Sequence, residues 1–395
     1  GPGHERPAVQ PYRPGKGGRG MIYFDAAATT FQKPPSVRQA VLRAMETMSS
    51  PGRGNYQSAA LAAEMLYTCR EELSALFGVE NPENVVFTSN ATHALNLAIH
   101  SLVPAGGRVV ISGYEHNAVT RPLHAIPNLQ IHVVNTALFD QEAMLRGFRD
   151  LITEDTDAVI CTHVSNVFGY ILPIGEIAGI CRQRGVPLIV DASQSAGSIP
   201  IHRGELGPGS FAMPGHRGLF GPQATGVLLC GEEGKPLLYG GTGSNSREQA
   251  MPDFLPDRME AGTHNMPGIA GLLAGVRFVR RLGVGAIRRH GFQLKEQLRQ
   301  GLEGDGRFHV YASADDGVQA GVLSLVPRDT DCETLCQTMA EAGFALRGGF
   351  HCAPFAHQTV GTILSGTVRF SVSAFNTNEE VESFLQALRK QKIYK

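Results

Sequence analysis

The sequence contains no apolar run approaching the ~18 residues that a membrane-spanning helix requires, and its first residues lack the apolar core of a signal peptide. Charged residues make up 18% of the chain and the formal net charge is −1, so a basic surface of the kind that binds nucleic acid is not expected. The composition therefore predicts a cytoplasmic protein that has neither a membrane nor a nucleic-acid partner.

Cysteine is too scattered to form a disulfide framework. The chain has seven cysteines, an odd number, spread over its length. Cys332 and Cys336 are four residues apart in a segment with helical spacing, but no second pair accompanies them. We interpret both as cysteines of a core or helix face, and we predict no metal site.

The length of 395 residues fits two domains at the usual ~100–200 residues each. Residues 1–20, rich in proline, glycine and arginine, are predicted to be a tag remnant and a flexible arm. Residues 21–275 are predicted to form a large domain, of which residues 21–35 are candidates for packing on the smaller one. Residues 276–395 are predicted to form a small α+β domain.

Short apolar runs alternate with helical patterns from residue 84 onward. Strands are predicted at 84–88, 108–112, 130–134, 158–162 and 187–191, and another apolar run follows at 227–230. This alternation is typical of βαβ units and indicates an α/β fold with a mostly parallel sheet. Ligands bind at the carboxyl ends of such strands, which makes the residues that follow them candidates for one site. The candidate segments are 88–92, 115–116, 163–166, 191–194 and 216–217.

Two polar positions next to these strands allow two interpretations each. Asp191 ends an apolar strand, and because a buried carboxylate is costly unless it is paired, it either caps the next helix or faces a cation. The turn at 89–92 lies between a strand and a helix, where free N–H groups favour a phosphate, although a simple N-cap has the same pattern.

Two further residues are candidates for chemistry near the C-terminus. Cys352 lies in a glycine-rich loop between His351 and His357, so it is either a thiolate nucleophile or a structural cysteine. Arg369 is a charge on an otherwise apolar strand, where it either binds a substrate carboxylate or is an ordinary edge-strand arginine.

Taken together, these residues resemble the cysteine desulfurase and selenocysteine lyase branch of the class V aminotransferase family, whose members are pyridoxal-phosphate (PLP) enzymes of fold type I. The resemblance covers nearly the whole chain. It rests on an ordered series of motifs: NATHALN at 90–96, EHN at 115–117, HVSN at 163–166, VDASQ at 190–194, GHRG at 215–218, EAGT at 260–263 and HCA at 351–353. It implies a large domain with a mostly parallel seven-stranded sheet and a smaller C-terminal α+β domain.

The resemblance also implies roles for individual residues. The cofactor phosphate is expected to be bound by Ala91, Thr92 and His216, and by Gly262 and Thr263 from the second subunit of a homodimer. The pyridine ring is expected to stack on His116, to pair with Asp191 at its nitrogen and to contact Gln194 at its hydroxyl. The substrate is expected to contact Asn166, which also contacts the cofactor, and to bind Arg369 through its carboxylate. Cys352 is expected to take the substrate sulfur as a persulfide.

The chain departs from this pattern at Arg217, where the family has the lysine that bonds the cofactor covalently and then moves protons at the substrate. A guanidinium stays protonated, with a pKa above ~12, and lacks a nucleophilic lone pair. The other lysines, Lys33 among them, lie outside the matched motifs, and Pro214 stands where many relatives carry serine or threonine.

The resemblance thus predicts a PLP-dependent cysteine desulfurase that converts L-cysteine to L-alanine, with a sulfur-acceptor protein as a further partner. Arg217 is expected to abolish or strongly impair turnover, and the cofactor is expected to be held non-covalently or as an adduct with the substrate. The alternatives are a non-catalytic binding or regulatory protein of the same fold, and a lyase that acts on selenocysteine, cysteine sulfinate or cystine.

Overall fold

The computed structural model describes residues 20–52, 54–207, 209–231 and 233–391. Residues 1–19, nearly all of the predicted tag remnant and arm, lie outside this range. Within it, no helix is both long enough and apolar enough to cross a bilayer.

The described chain alternates strands and helices over most of its length. The strands are β1 (Ile22–Tyr23), β2 (Val85–Thr88), β3 (Arg108–Ser112), β4 (Gln130–Val134), β5 (Ala158–Thr162), β6 (Leu188–Asp191), β7 (Gly209–Pro214), β8 (Gly226–Leu229), β9 (Phe308–Tyr311), β10 (Val322–Pro327), β11 (Phe344–Ala345), β12 (Arg347–Gly349) and β13 (Thr367–Ser371). The α-helices are α1 (Pro35–Thr47), α2 (Gln57–Phe77), α3 (Ala91–Leu102), α4 (Asn117–His124), α5 (Gln141–Leu151), α6 (Ile174–Arg184), α7 (Met266–Leu282), α8 (Val284–Gly301), α9 (Cys332–Glu341), α10 (Pro354–Val360) and α11 (Asn378–Lys390).

A seven-stranded sheet organises the N-terminal two-thirds of the chain. Its strand order is β2-β8-β7-β6-β5-β3-β4, and the neighbours from β7 to β4 run parallel. Only β8 runs antiparallel to its neighbours, β2 and β7. The predicted α/β architecture with a mostly parallel sheet is therefore confirmed.

Helices cover both faces of this sheet. The side chains of β5 alternate between two hydrophobic clusters: Val159 and Cys161 join the cluster that includes α5 and α6, and Ala158 and Ile160 join the cluster that includes α3 and α4. Because each face is buried, the strands read as continuous apolar runs, and burial of each large aliphatic side chain contributes roughly 1.5–3 kcal/mol.

A second, antiparallel sheet of four strands lies in the C-terminal part, in the order β12-β13-β10-β9. Next to it, β1 pairs with β11, so the described N-terminal end of the chain contacts the C-terminal part. Helix α7 runs without interruption through residues 275 and 276, where the domain boundary was placed. The division into two domains stays a prediction.

Two strands differ from the sequence expectations. The strand β7 was not predicted, because its sequence Gly-Ser-Phe-Ala-Met-Pro contains no β-branched residue, yet all six of its residues are buried between β6 and β8. Residues 347–349, expected to lie in a glycine loop, form β12 and pair with β13.

Candidate active site

The segments that follow the central strands meet around one cavity. Its wall contains most of the residues singled out in the sequence: Ala91, Thr92, His116, Asn166, Asp191, Gln194, His216 and Arg217. Pro214 also lines it. The cavity lies where β2, β3, β5, β6 and β7 end, which is where a parallel α/β sheet binds ligands.

One end of the cavity is formed by the N-terminus of α3. Asn90 is the N-cap, and its side-chain oxygen accepts the N–H of His93 at 2.8 Å. The preceding N–H groups of the first turn, at Ala91 and Thr92, have no partner within the helix, and the helix dipole adds a partial positive charge there. This end therefore suits an anion such as a phosphate.

His116 contributes a flat, neutral ring to the cavity wall. Its Nδ1 accepts the N–H of Ala118 at 2.9 Å, which caps α4 and leaves the ring proton on Nε2. Burial lowers the pKa of His116, and the negative charge of Asp191 opposes this shift only in part. The ring is consequently uncharged at neutral pH.

Asp191 is buried, with 3% of its surface exposed. The sequence left open whether it caps the next helix or faces a cation. In the described chain a turn rather than a helix follows Asp191, so it caps no helix. Its Oδ1 accepts the N–H of Ser193 at 2.9 Å, and its charge raises the pKa values of His116 and Arg217. Gln194, three residues on, donates its amide to the carbonyl oxygen of Ala27 at 3.1 Å.

A second carboxyl group, Glu115, lies fully buried behind the cavity wall. The hydroxyl of Ser112 and the N–H of Thr162 donate to its Oε1 at 2.5 and 2.8 Å, while its Oε2 has no partner in the described part of the chain. Burial raises the pKa of Glu115 to about 8, and the nearby charge of Asp191 acts in the same direction. Glu115 is thus protonated and uncharged for the most part at neutral pH.

Arg217 projects from a rigid loop into the same cavity. Its Nε–H donates to the carbonyl oxygen of Ala28 at 3.3 Å, and its own carbonyl oxygen accepts the N–H of Phe220 at 2.9 Å. The next residue must be glycine, since a Cβ on Gly218 would lie 2.2 Å from the carbonyl oxygen of Ala196. Burial lowers the pKa of Arg217 to about 10, which still leaves the guanidinium protonated at neutral pH.

Beside this loop lies Lys33, which the motifs did not single out. Its amine donates to the carbonyl oxygen of Thr30 at 2.8 Å and to that of His216 at 3.4 Å, and burial lowers its pKa to about 8. The imidazole of His216 contacts the hydroxyl of Thr29 at 2.9 Å. The signal available in the sequence was a lysine preceding two prolines at the start of α1.

Cys352 and Arg369 are connected to the cavity through Asn166. The side-chain amide of Asn166 donates to the carbonyl oxygen of His351 at 2.7 Å. The backbone carbonyl of Asn166 accepts from Nη1 of Arg369 at 3.0 Å, and Nη2 of Arg369 pairs with Asp25 at 2.7 Å. The Nε of Arg369, which is buried, has no hydrogen-bond partner among the described residues.

The backbone around Cys352 is strained. His351 and Cys352 both have left-handed backbone angles, with φ of 51° and 55°, which cost roughly 1–2 kcal/mol each for residues with a Cβ. The N–H of Asn117 donates to the carbonyl oxygen of Cys352 at 2.7 Å and helps to hold this conformation. The Cys352 side chain is exposed. Strain of this kind is concentrated at functional sites.

Gly262 and Thr263 lie apart from this cavity on the same protomer. They line a separate pocket together with Ser89, His93 and His264. The arrangement within one chain therefore does not bring them to the group around Asp191.

Comparison with known proteins places this chain in a family. The class-V aminotransferase family matches residues 22–384. A probable cysteine desulfurase of Methanothermobacter thermautotrophicus is 31% identical over 392 residues, covering 94% of this chain and 95% of the relative. A probable cysteine desulfurase of Xylella fastidiosa is 32% identical over 394 residues, covering 94% of this chain and 91% of the relative.

Solved structures agree in fold. The apo cysteine desulfurase of Thermococcus onnurineus superposes with a TM-score of 0.86 at 28% identity, and the match covers 94% of each chain. A C-DES mutant with glycine covalently linked to its PLP cofactor superposes with a TM-score of 0.80 at 21% identity, covering 94% of this chain and 97% of that one.

Proposed function

The chain belongs to the class-V aminotransferase family, and from this membership we propose that it is a PLP-dependent, cysteine desulfurase-like protein whose turnover is limited by Arg217. The proposed reaction converts L-cysteine to L-alanine and leaves a persulfide on Cys352. A homodimer, a sulfur-acceptor protein and a cytoplasmic location are parts of the same proposal.

The residues of the cavity fit PLP, the cofactor of this family. The start of α3 and His216 suit its phosphate, and the flat, neutral ring of His116 suits stacking. Asp191 is a buried carboxyl group in the cavity wall, which suits a protonated ring nitrogen. When bound, PLP supplies an electron sink for bonds broken at the α-carbon of an amino acid.

The proposal of an amino-acid substrate rests on Asn166, because its two hydrogen bonds join the cavity to the Cys352 loop and to Arg369. The unpartnered Nε–H of Arg369 is available to a substrate carboxylate, which guanidinium groups bind well. The exposed Cys352 thiol would then receive the substrate sulfur. Its strained and hydrogen-bonded loop favours this role over that of a non-catalytic binding protein.

Arg217 occupies the position at which the family carries an amine. A guanidinium with a pKa of about 10 has no free lone pair at neutral pH, so it neither bonds the cofactor nor takes a proton from the substrate. We therefore propose that the cofactor is held by the surrounding residues alone, or as an adduct with the substrate, and that turnover is very slow.

The test compares the protein with Arg217→Lys and Arg217→Met, each loaded with PLP and supplied with L-cysteine and a thiol reductant, which releases the persulfide sulfur as sulfide, by measuring alanine and sulfide. Arg217→Lys is expected to exceed both others by at least about a hundredfold, the typical contribution of general acid–base catalysis. Equal rates in the protein and Arg217→Lys would contradict the impairment by Arg217. An inert Arg217→Lys variant that still binds PLP would contradict the desulfurase function.

A further inference from the structure

Arg217 brings a guanidinium with unpartnered hydrogen-bond donors to the cavity wall. Its Nε–H donates to the carbonyl oxygen of Ala28, but neither Nη1 nor Nη2 has a hydrogen-bond partner among the residues that the structure describes. Arg217 lines the cavity together with Asp191, yet it forms no ion pair with that carboxyl group or with any other described one. The wall therefore contains a cation and N–H donors that the described chain leaves unsatisfied.

The other titratable groups near this cation do not neutralise it. His116 and His216 line the same cavity, and burial lowers the pKa of both, that of His216 to about 4, so neither ring is charged at neutral pH. Lys33, whose amine donates to the carbonyl oxygen of His216, adds a second cation nearby. Asp191 is the one carboxyl group among the described residues of the wall, and the proposed function pairs it with the ring nitrogen of the cofactor.

The group expected to lie next to this cation is the 4′ substituent of the cofactor. This inference rests on the proposed function, in which PLP occupies the cavity and residue 217 stands where the family carries the lysine that bonds it. An amine bonds PLP at its aldehyde carbon, so the substituent of that carbon is the part nearest residue 217. The aldehyde oxygen is an uncharged acceptor, whereas the aminomethyl group of pyridoxamine 5′-phosphate (PMP) is an ammonium at neutral pH.

We propose that Arg217 makes the cavity selective for forms of the cofactor whose 4′ substituent is an uncharged hydrogen-bond acceptor, such as the aldehyde of PLP, and that it excludes the amine form, PMP. The Nη–H groups donate to the acceptor. An ammonium in the same place offers them no lone pair and meets a like charge in a cavity that water screens poorly. A lysine could release its proton and accept a hydrogen bond from that ammonium, which a guanidinium does not do. The selectivity comes mainly from repulsion of the wrong ligand.

The test uses two phosphates of nearly the same shape, neither of which can bond covalently to an amine of the protein. Pyridoxine 5′-phosphate carries an uncharged 4′ hydroxymethyl group, and PMP carries the charged aminomethyl group. The full-length protein, freed of bound cofactor by dialysis, is titrated with each at neutral pH, and binding is followed through the fluorescence of the ligand. We expect pyridoxine 5′-phosphate to bind at least about tenfold more tightly than PMP.

Two variants separate the charge of Arg217 from its hydrogen-bond donors. In Arg217→Met the ratio of the two affinities is expected to fall below about threefold, chiefly because PMP gains affinity once the charge is gone. Arg217→Gln, which keeps an amide donor without the charge, should admit PMP as well. Arg149→Met, at an exposed position on α5, is the matched control and should keep the full ratio.

Three results would contradict this inference and leave the proposed function standing: equal binding of the two phosphates, tighter binding of PMP, or a preference for pyridoxine 5′-phosphate that persists in Arg217→Met. Failure of both phosphates and of PLP to bind the protein and its variants would instead overturn the proposed PLP site, and this inference with it.

Discussion

The Nε–H of Arg217 donates to the backbone carbonyl of Ala28 across 3.3 Å, and this bond fixes a cation in the wall of the cavity that also contains Asp191. The backbone of the loop is held by the bond from Phe220 to the Arg217 carbonyl and by the close approach of Gly218 to Ala196. Neither contact involves the Arg217 side chain. A change of side chain at this position therefore alters the chemistry of the site without a need to refold the loop.

Removal of the Cys352 thiol separates two kinds of substrate. In the Arg217→Lys background, Cys352→Ala is expected to lower sulfur release from L-cysteine by at least about a hundredfold, since the persulfide needs this nucleophile. Sulfite release from L-cysteine sulfinate should stay within about tenfold, because it needs no persulfide. Product assays with both substrates measure this. Cys336→Ala, on α9, is the control, and unchanged turnover of L-cysteine in Cys352→Ala would rule out the persulfide role.

Glu115 makes stability depend on pH in an unusual direction. Its pKa is about 8 in the folded protein and near 4.5 when unfolded, so between these pH values the folded state retains a proton that the unfolded state has lost. Its contribution to the free energy of unfolding therefore falls as pH rises through this window, by a few kcal/mol in total.

Glu115→Gln removes this titration. The free energy of unfolding of the variant should therefore rise relative to that of the parent protein as the pH increases from about 5 to about 8, the range in which Glu115 keeps its proton only in the folded state. Urea unfolding at several pH values measures the difference, in which the contributions of the other titrating groups cancel. Glu176→Gln, at an exposed position in the first turn of α6, should show no such trend. A variant–parent difference that does not change with pH would show that Glu115 ionises normally.

The carboxylate of Glu260 holds the segment that contains Gly262 and Thr263 against Arg70 and Phe87. It accepts two hydrogen bonds from the guanidinium of Arg70, at 2.8 and 2.6 Å, and one from the N–H of Phe87. Although burial alone would raise the pKa of Glu260, the charge of Arg70 and the bond with His264 lower it to about 2. The stability from this ionised carboxylate is present above pH ~4.5 and is lost as pH falls towards 2.

Glu260→Gln is expected to lower the free energy of unfolding by about 3–5 kcal/mol at pH 7, because it leaves the buried Arg70 charge uncompensated. Chemical denaturation measures this. The control is Glu72→Gln, which breaks ion pairs with the partly exposed Arg277 and Arg280 and should cost less than about 1 kcal/mol. Equal losses in the two variants would show that burial does not strengthen the Glu260 interaction.

Local sequence patterns predicted the central sheet because its strands are buried on both faces. Residues 158–162 and 188–190 are short apolar runs followed by polar residues, a pattern that marks both the strand and the end where a ligand binds. The positions of Asp191, His116 and Asn166 around one cavity follow from this rule. Their roles towards the cofactor and substrate stay predictions.

The pattern could not reveal contacts that depend on distant pairing. Asp25 and Arg369 form an ion pair although 344 residues separate them, and Arg347 faces Arg369 only because β12 pairs with β13. The strand β7 lacks β-branched residues and is recognisable only from its neighbours β6 and β8. Lys33 approaches His216 through the fold of the segment before α1.

The most direct test of the account is whether any amine of the protein bonds PLP. The PLP-loaded protein and Arg217→Lys are each treated with borohydride, denatured, and analysed by mass spectrometry of the intact chain and of its peptides. We expect a reduced cofactor attached to residue 217 in Arg217→Lys and no attached cofactor in the protein that carries arginine. A cofactor bonded to another lysine of the arginine-containing protein, with Lys33 the first to examine, would contradict the account.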